Sequence, residues 1–546
     1  MLLSAVGLLL QMVSATPPDA QALRAAKSAQ HRFESARRAR LPVGWHGGDG
    51  RCDTRVGRYC YWYDSADAKR IAEPKAIGDA RQRLLSVLDS QEVRSPADPW
   101  IVGQRVRYLV EAGRIDDAVA AARACAAAQW WCAALDGLAL HVGERYVEAE
   151  SAFDVALGAM PRTQRCAWED IRVLLSGALA HELDRADCTR RERLAARVLA
   201  LAQPLWSTPG NDFRTEMLAR RTMVALLESS ANAQGMAWGK DSEELLLRYG
   251  WSEWFSRQEP SPLYYASTVV TGHDREPSYN LIPSIVTAAS LPRVTANAWE
   301  LTASRAVSRY APRSLDALTP LRHQLARFPR GDSLLIAAAM APIDTAMTHD
   351  SVVIALAAYD GDSVRVNRSV ARALTLTVHN DSTIVSVEAR GVRSKHASRA
   401  RYTVGPLVRT DRGVVSDLLV YRPATGVSDD SLESALDAAV TEPRVTAGEP
   451  LGVYWETADV PRSNGWVSLT VEPMHIGLAR RVAIRLHLAA EAAPVRLRWR
   501  AMLEGAQRHH VTVRMPPTAR GSYRMQLAID VDGTPLVSAR EITIAP

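Results

Sequence analysis

Few residue sets in this 546-residue chain have the types and spacing to do chemistry. Asp241, Glu243 and Glu244 bring three carboxylates close together, and such groups can act as general acid and base. A structural role is simpler: Asp241 caps the element that follows, while the glutamates face water. His181-Glu182 opens like a zinc-binding helix, yet Arg185 stands where the second histidine would be needed. His509-His510 falls in a strand pattern, where neighbouring side chains point to opposite faces and cannot share a metal. Asp530-Val531-Asp532-Gly533-Thr534 begins like a calcium loop but lacks the later ligands. It reads better as a hairpin turn on Asp-Gly. There is no nucleophile elbow, phosphate-binding glycine loop or dinucleotide fingerprint. The sequence therefore assigns no catalytic residue, no cofactor and no metal.

The cysteines carry the remaining chemistry. All six precede residue 190 and fall as Cys52/Cys60, Cys125/Cys132 and Cys166/Cys188. None has zinc-site spacing, and near-neighbour pairs in an exported chain suggest disulfides. Six cysteines allow fifteen connectivities; pairing in chain order is the expectation. On one helix Cys125 and Cys132 would stand about 10 Å apart, beyond the roughly 7 Å Cα limit of a bridge. Their pairing therefore demands a turn around Ala127 to Gln129. For Cys166 and Cys188 the expected break is Ser176-Gly177.

Export is also suggested by the apolar run Leu2 to Val13, which is followed by small residues at Val13-Ser14-Ala15 and Ala20-Gln21-Ala22. The run is too short for a membrane span of about 20 residues, and no later stretch is apolar enough. A periplasmic or secreted location follows, with no membrane span beyond the signal peptide. The net charge is +6, with 47% hydrophobic and 23% charged residues. Its arginines are interleaved with acids rather than clustered, which argues against a nucleic-acid partner. At about 150 residues per domain, the length implies roughly three or four domains.

The elements that must position these residues change along the chain. Pro74 to Met160 reads as helical pairs. Gly137, Tyr146, Ala149, Phe153, Ala156 and Pro161 follow the tetratricopeptide pattern, in which small residues let two helices cross and an aromatic fills the groove. Ala149 and Phe153 should face the partner helix, and Pro161 should follow the second helix. A further pair, Trp168 to Leu183 and Arg191 to Leu201, leads into a tryptophan-rich stretch, 205–257. There Asn211 or Asp212 can cap a helix whose apolar face is Phe213, Met217, Val224, Leu227 and Ala231.

Within that stretch, Trp238-Gly239-Lys240-Asp241 followed by Arg248-Tyr249-Gly250 resembles the core of the GWxTD domain. Ala237 stands where the family has its first glycine, and Lys240 where it has threonine. The resemblance implies a divergent member of a set of bacterial extracytoplasmic proteins. A buried Trp238 indole is expected, with the Asp241 carboxylate on backbone N–H groups of the next segment.

Beyond Pro260 the pattern becomes mixed. Arg305 to Tyr310 and Leu315 to Phe328 look helical. Strands are then expected at Leu334 to Ala339, Val352 to Ala358, Ala373 to Val378, Ile384 to Ala389 and Val414 to Val420, with a short helix from Leu432 to Val440. After Pro450 come about seven alternating segments: Leu451 to Glu456, Trp466 to Val471, Val482 to Leu488, Val495 to Trp499, His510 to Val513, Tyr523 to Ile529 and Ile542 to Ile544. The whole is a multidomain α-then-β chain, with tetratricopeptide-like helical repeats followed by β-sandwich-like domains. Its expected parts are a signal peptide at 1–22, a loosely held, disulfide-stapled segment at 23–73 and helical repeats at 74–204. After these come a GWxTD-like central region at 205–330, a β-rich domain at 331–422 and an immunoglobulin-like sandwich at 445–546. The expected function is an exported protein-interaction or scaffold protein that engages a protein partner. The alternative is a divergent hydrolase of envelope polymers, which would need a deep cleft with convergent acids or a histidine.

Overall fold

The computed structural model describes residues 19–44, 53–61, 70–258, 270–283, 295, 298–302, 306–341, 345–361, 363–423, 431–474 and 494–545. Two compact units are present, one of Met1–Pro204, Pro209–Pro283 and Glu300–Ser314, the other of Leu205–Thr208, Ser284–Trp299 and Leu315–Pro546. The order is α then β.

The first unit opens with α1 (Ala20–Arg40), where a loosely held segment was expected. Ala22, Ala26, Ala29 and Phe33 recur at three- and four-residue steps and are all buried, so small apolar residues make a helix face inside a basic composition. The Asp19 carboxylate accepts from the Gln21 and Ala22 N–H groups and caps the helix. Cleavage after Ala22 would remove that cap; the rest of the expected signal peptide, residues 1–18, lies outside the described residues. A hairpin follows, β1 (Thr54–Val56) and β2 (Tyr59–Tyr61).

Next come α2 (Lys75–Arg94), α3 (Pro99–Glu111), α4 (Ile115–Arg123), α5 (Gln129–Val142) and α6 (Tyr146–Ala159), each packed on its sequence neighbour. Ala149, Phe153 and Ala156 are fully buried between α5 and α6. The Phe153 ring lies so close over Gly137 that a Cβ there would stand 2.8 Å from it. Ala149→Leu should therefore overpack this crossing and cost about 1–3 kcal/mol, read from denaturant unfolding. The turn between α4 and α5 lets Cys125 and Cys132 bridge with Cα atoms 5.6 Å apart.

Pro161 follows α6 and starts α7 (Arg162–Trp168). The continuous helix expected from Trp168 to Leu183 is interrupted. The Asp170 carboxylate takes the Arg172 N–H and guanidinium in a local turn, and α8 (Gly177–Arg185) starts only at Gly177, with φ +68°. The Cys166–Cys188 bridge, with Cα atoms 5.7 Å apart, ties α7 to the first residue of α9 (Cys188–Ala202). Cys60 is also disulfide-bonded; its expected partner Cys52 lies outside the described residues. Asn211 caps α10 (Asp212–Glu228). This helix buries Phe213, Met217, Met223 and Leu226 and stops short of Ala231. The unit continues with α11 (Lys240–Tyr249), then β3 (Trp254–Arg257) paired with β4 (Val270–His273).

In the second unit the helix expected at Leu315 to Phe328 is instead β5 (Ala317–Pro320) and β6 (Arg322–Arg330). Leu315, Leu318, Leu321, Leu325 and Phe328 mimic a helical period. The strand, however, buries Gln324, Ala326 and Phe328 on one face, with the Gln324 amide satisfied by the Val420 and Val440 carbonyls. Arg305 is outside the described residues, and 306–310 is not helical. The following strands are β7 (Ser333–Ala341), β8 (Val352–Tyr359), β9 (Val364–Ser369), β10 (Ala373–His379), β11 (Thr383–Gly391) and β12 (His396–Val404). They form sheets of order β10-β7-β6 and β5-β12-β11-β8-β9 around a core that includes Ile336, Leu356 and Val387.

Val414 to Val420 is two short strands, β13 (Val414–Val415) and β14 (Leu419–Tyr421), before α12 (Leu432–Asp437) and β15 (Arg444–Thr446). Among the described residues, longer strands replace the short segments expected after Pro450. They are β16 (Pro450–Pro473), β17 (Val495–Arg514), β18 (Gly521–Val531) and β19 (Thr534–Ala545). Pairs of expected segments merge because β16 and β17 stay hydrogen-bonded through register shifts between Thr457 and Ser463. The Val482 to Leu488 segment lies outside the described residues. A two-residue turn at Asp532-Gly533, with φ +50° and +86°, joins β18 to β19 as the Asp-Gly reading required. Among the described residues no helix is long and apolar enough to cross a membrane.

Candidate functional site

The residues that carry the GWxTD resemblance dock the cysteine-bearing hairpin. Gly57 at its tip has φ +54°, and a Cβ there would sit 2.4 Å from the Asp241 side chain, so only glycine fits. The neighbouring Arg58 donates to Asp241 Oδ2 from Nε (2.7 Å) and from its backbone N–H (3.1 Å), and to Oδ1 from Nη2 (2.8 Å). Asp241 does accept the Ser242 N–H as expected, but its main partner is Arg58. Hydrogen bonding to Arg58 holds its carboxyl well below the usual range. The N-cap of α11 is Gly239, without a side-chain cap, so Asp241 clamps the hairpin instead of capping its own helix.

Tyr59 and Ser242 share a 2.9 Å hydroxyl contact, and Tyr61 stacks on Tyr249 with ring centroids 3.9 Å apart. Arg248 donates to the Val173 carbonyl and pairs with Glu244. Trp238 is half-buried rather than enclosed, packed at the edge of the helical core. Gly250 ends α11 with φ +99° directly over the Arg220 guanidinium.

Beside this clamp lies a cavity of about 450 Å³, lined by the aromatic residues Trp238, Trp251, Trp254 and Phe255 and by the charged residues Arg37, Arg70, Arg81, Glu73 and Glu111, with the Arg37 guanidinium over the Phe255 ring. The charged wall is an interlocked set. Arg81 donates to both Glu73 oxygens at 2.6 and 2.7 Å. Arg107 reaches Glu111 at 3.0 Å and Glu34 at 3.3 Å. Arg37 stands 3.1 Å from Glu111, and Arg313 lies 2.7 Å from Glu253. Burial pushes the Glu111 carboxyl up, but Arg37, Arg107 and Arg81 more than reverse this and keep it ionised. The three carboxylates on the wall, Glu73, Glu111 and Glu253, are thus each held by an arginine.

Behind α11 lies a second constellation that sequence reasoning missed. His141 meets Thr215 Oγ1 at 2.9 Å and Glu216 at 2.7 Å, and Glu216 accepts from Arg220 Nε at 2.7 Å. Burial holds His141 neutral, while Arg220 and His141 overcome burial to keep the Glu216 carboxyl well below its usual range. Neutral His141 then donates from Nε2 to Glu216, and Nδ1 accepts the Thr215 hydroxyl. Nucleophile, base and acid are in order, yet Thr215 and His141 are wholly buried in helices and no substrate reaches them. Arg220 continues the chain to the Leu247 and Arg309 carbonyls, so the set latches α10 to α11.

Asp212, at the start of α10, accepts from the Tyr310 hydroxyl at 3.2 Å. Burial pushes its carboxyl up to about 7, with Tyr310 opposing only in part. Folded Asp212 therefore keeps a proton that the unfolded chain releases near pH 4, so the penalty is absent below about pH 4 and complete above about pH 7. Asp212→Asn should stabilise the protein at pH 8 and lose that advantage at pH 4, read from denaturant melts at the two pH values.

His181 is exposed on α8, and the His509 ring stacks on Trp455. Among the described residues no group of three metal-ligating side chains occurs. No family model and no curated protein matches the chain. Among solved structures it is similar to a chitin-binding domain from Burkholderia pseudomallei, with 15% identity and a TM-score of 0.13 over 19% of this chain and 56% of that one. It is also similar to a Salmonella alpha-2-macroglobulin reacted with methylamine, with 10% identity and a TM-score of 0.15 over 42% of this chain and 17% of that one. The chain thus spans little more than half of the first and a small part of the second, and likenesses of this size assign no family.

Proposed function

We propose that the chain is an exported bacterial interaction protein, periplasmic or secreted, and a divergent relative of the GWxTD proteins. In this reading its helical pairs are tetratricopeptide-like, and the cavity beside the GWxTD-like segment is its recognition site for a partner or ligand. The observation that carries the reading is the pairing of every wall carboxylate with an arginine. A hydrolase of envelope polymers needs one carboxyl poised to give a proton and another free to take one, and arginine pairing denies both. The disulfides at Cys125–Cys132 and Cys166–Cys188 support an oxidising compartment. Incubating the purified chain with envelope polymers separates the two functions: retention without release of fragments is expected, whereas time-dependent release would establish the hydrolase.

A further inference from the structure

We infer that the outward face of α1 docks the protein on an anionic lipid surface, with headgroup phosphates as its ligands. This rests on the exported reading and adds a partner for a surface that the cavity does not use. Elsewhere the arginines are interleaved with acids, but α1 departs from that pattern. Its 21 residues hold Arg24, Lys27, Arg32, Arg37, Arg38 and Arg40 against one acid, the buried Glu34. Packing sorts these charges. Arg37 turns inward and stands 3.5 Å from Glu34, 3.8 Å from Glu73 and 3.1 Å from Glu111. The other five turn outward, Arg38 half-buried and the rest exposed. Among the described residues no carboxylate pairs with any of these five. Arg32 donates to the Ser28 hydroxyl, Arg38 and Arg40 donate to the Ala233 and Ala36 carbonyls, and Lys27 lies over the Trp100 ring. The acids nearby are already taken. Lys75 holds Asp79, Arg105 holds Asp89 and Glu92, and Arg94 holds Asp19, while Asp98 caps its own helix.

Like charges on one helix face repel, and an anionic surface relieves that repulsion. Arg24, Lys27, His31 and Arg38 follow one another at helical steps of three, four and seven, so they share a stripe about 21 Å long. The exposed residues between them, Ser28 and Ser35, are small and let a flat surface approach. No large hydrophobic side chain is exposed on α1, so the contact is made with headgroups and not by insertion among acyl chains. The apolar run chooses lipid over other polyanions. It ends at Val13, seven residues before α1 begins at Ala20, and seven extended residues span at most about 25 Å. The segment that enters a bilayer during export thus delivers α1 to the surface of that bilayer.

Flotation of the purified full chain with lipid vesicles at neutral pH and low salt tests this. Vesicles of phosphatidylcholine mixed with phosphatidylglycerol should carry the chain, phosphatidylcholine alone should not, and about 0.5 M salt should release it. Arg24→Gln, Lys27→Gln and Arg32→Gln combined remove three exposed charges and should weaken binding at least about tenfold. Arg508→Gln, Arg514→Gln and Arg524→Gln combined, all exposed in the second unit, remove the same net charge and should leave binding unchanged. Circular dichroism should show both variants folded. Equal binding to phosphatidylcholine alone would place the apolar run, not α1, on the lipid and overturn the inference. Equal weakening by the two triple variants would reduce it to net charge, and an unweakened α1 variant would refute it directly. Displacement from the vesicles by an equal charge of alginate, a soluble anionic polysaccharide, would assign the face to a glycan instead. No vesicle binding would also overturn the inference and leave export standing, because export fails separately if cell fractionation finds the chain in the cytoplasm.

Discussion

Glu216→Gln is expected to lower the unfolding free energy by about 3–5 kcal/mol, the usual cost of removing one partner from a buried ion pair. The shape is preserved and only the charge is lost. Arg220, 1% exposed, then keeps its positive charge with no counter-charge beside it, and the single amide oxygen of the glutamine can accept from Arg220 or from His141 but not from both. Because Arg220 holds the Leu247 carbonyl beneath Gly250, the damage should spread to α11 and the docked hairpin. Hydrogen exchange should therefore quicken first in Lys240–Tyr249 and Thr54–Tyr61. Glu243→Gln is the control: its partner Arg221 is also present, but Glu243 is 41% exposed, so the change should stay within about 0.5 kcal/mol. Equal losses in the two variants would remove the latch from the account.

Phe153→Ala should cost a similar amount, about 3–5 kcal/mol, because the ring is fully buried and the backbone of α5 is built around it. The informative experiment is the double-mutant cycle with Gly137. Alone, Gly137→Ala drives a methyl into the ring. In the Phe153→Ala background the same methyl fills part of the vacated space, so the pair should be more stable than the sum of the single changes implies. Simple additivity would mean that Gly137 and Phe153 do not form the crossing of α5 and α6.

Much of this architecture was legible because local signals and tertiary packing agree. The α5–α6 pair is written in small residues and one aromatic at helical spacing, the turn at Asp532-Gly533 in its own backbone preference, and the Cys125–Cys132 bridge in a distance that one helix cannot satisfy. Misreadings arose where two periods coincided or where side chains were small. The leucines around β5 and β6 repeat at helical steps although the chain is extended there. α1 hides its buried face in alanines.

The candidate site was the least legible part, for a physical reason. A buried arginine and a surface arginine are the same letter, and the partners that distinguish them are remote: Glu34 and Arg107 are 73 residues apart, and His141 and Glu216 are 75. One signal was available. Arg37 lies four residues after Phe33 and seven after Gln30, on the buried face of α1, so a helical projection would have placed this charge inside and asked what matches it. The Asp241 clamp had no such signal, since Arg58 approaches from a separate hairpin.

The central claim, that the cavity beside the GWxTD-like segment is a recognition site, is tested most directly by native mass spectrometry. The full chain would be purified without denaturation from the cells that produce it, alongside Trp251→Ala, which removes one aromatic wall. The wild type should carry a bound species of defined mass, and the variant, folded by circular dichroism, should have lost it. A wild-type chain found only at its own mass, or a bound species retained by the variant, would contradict the account.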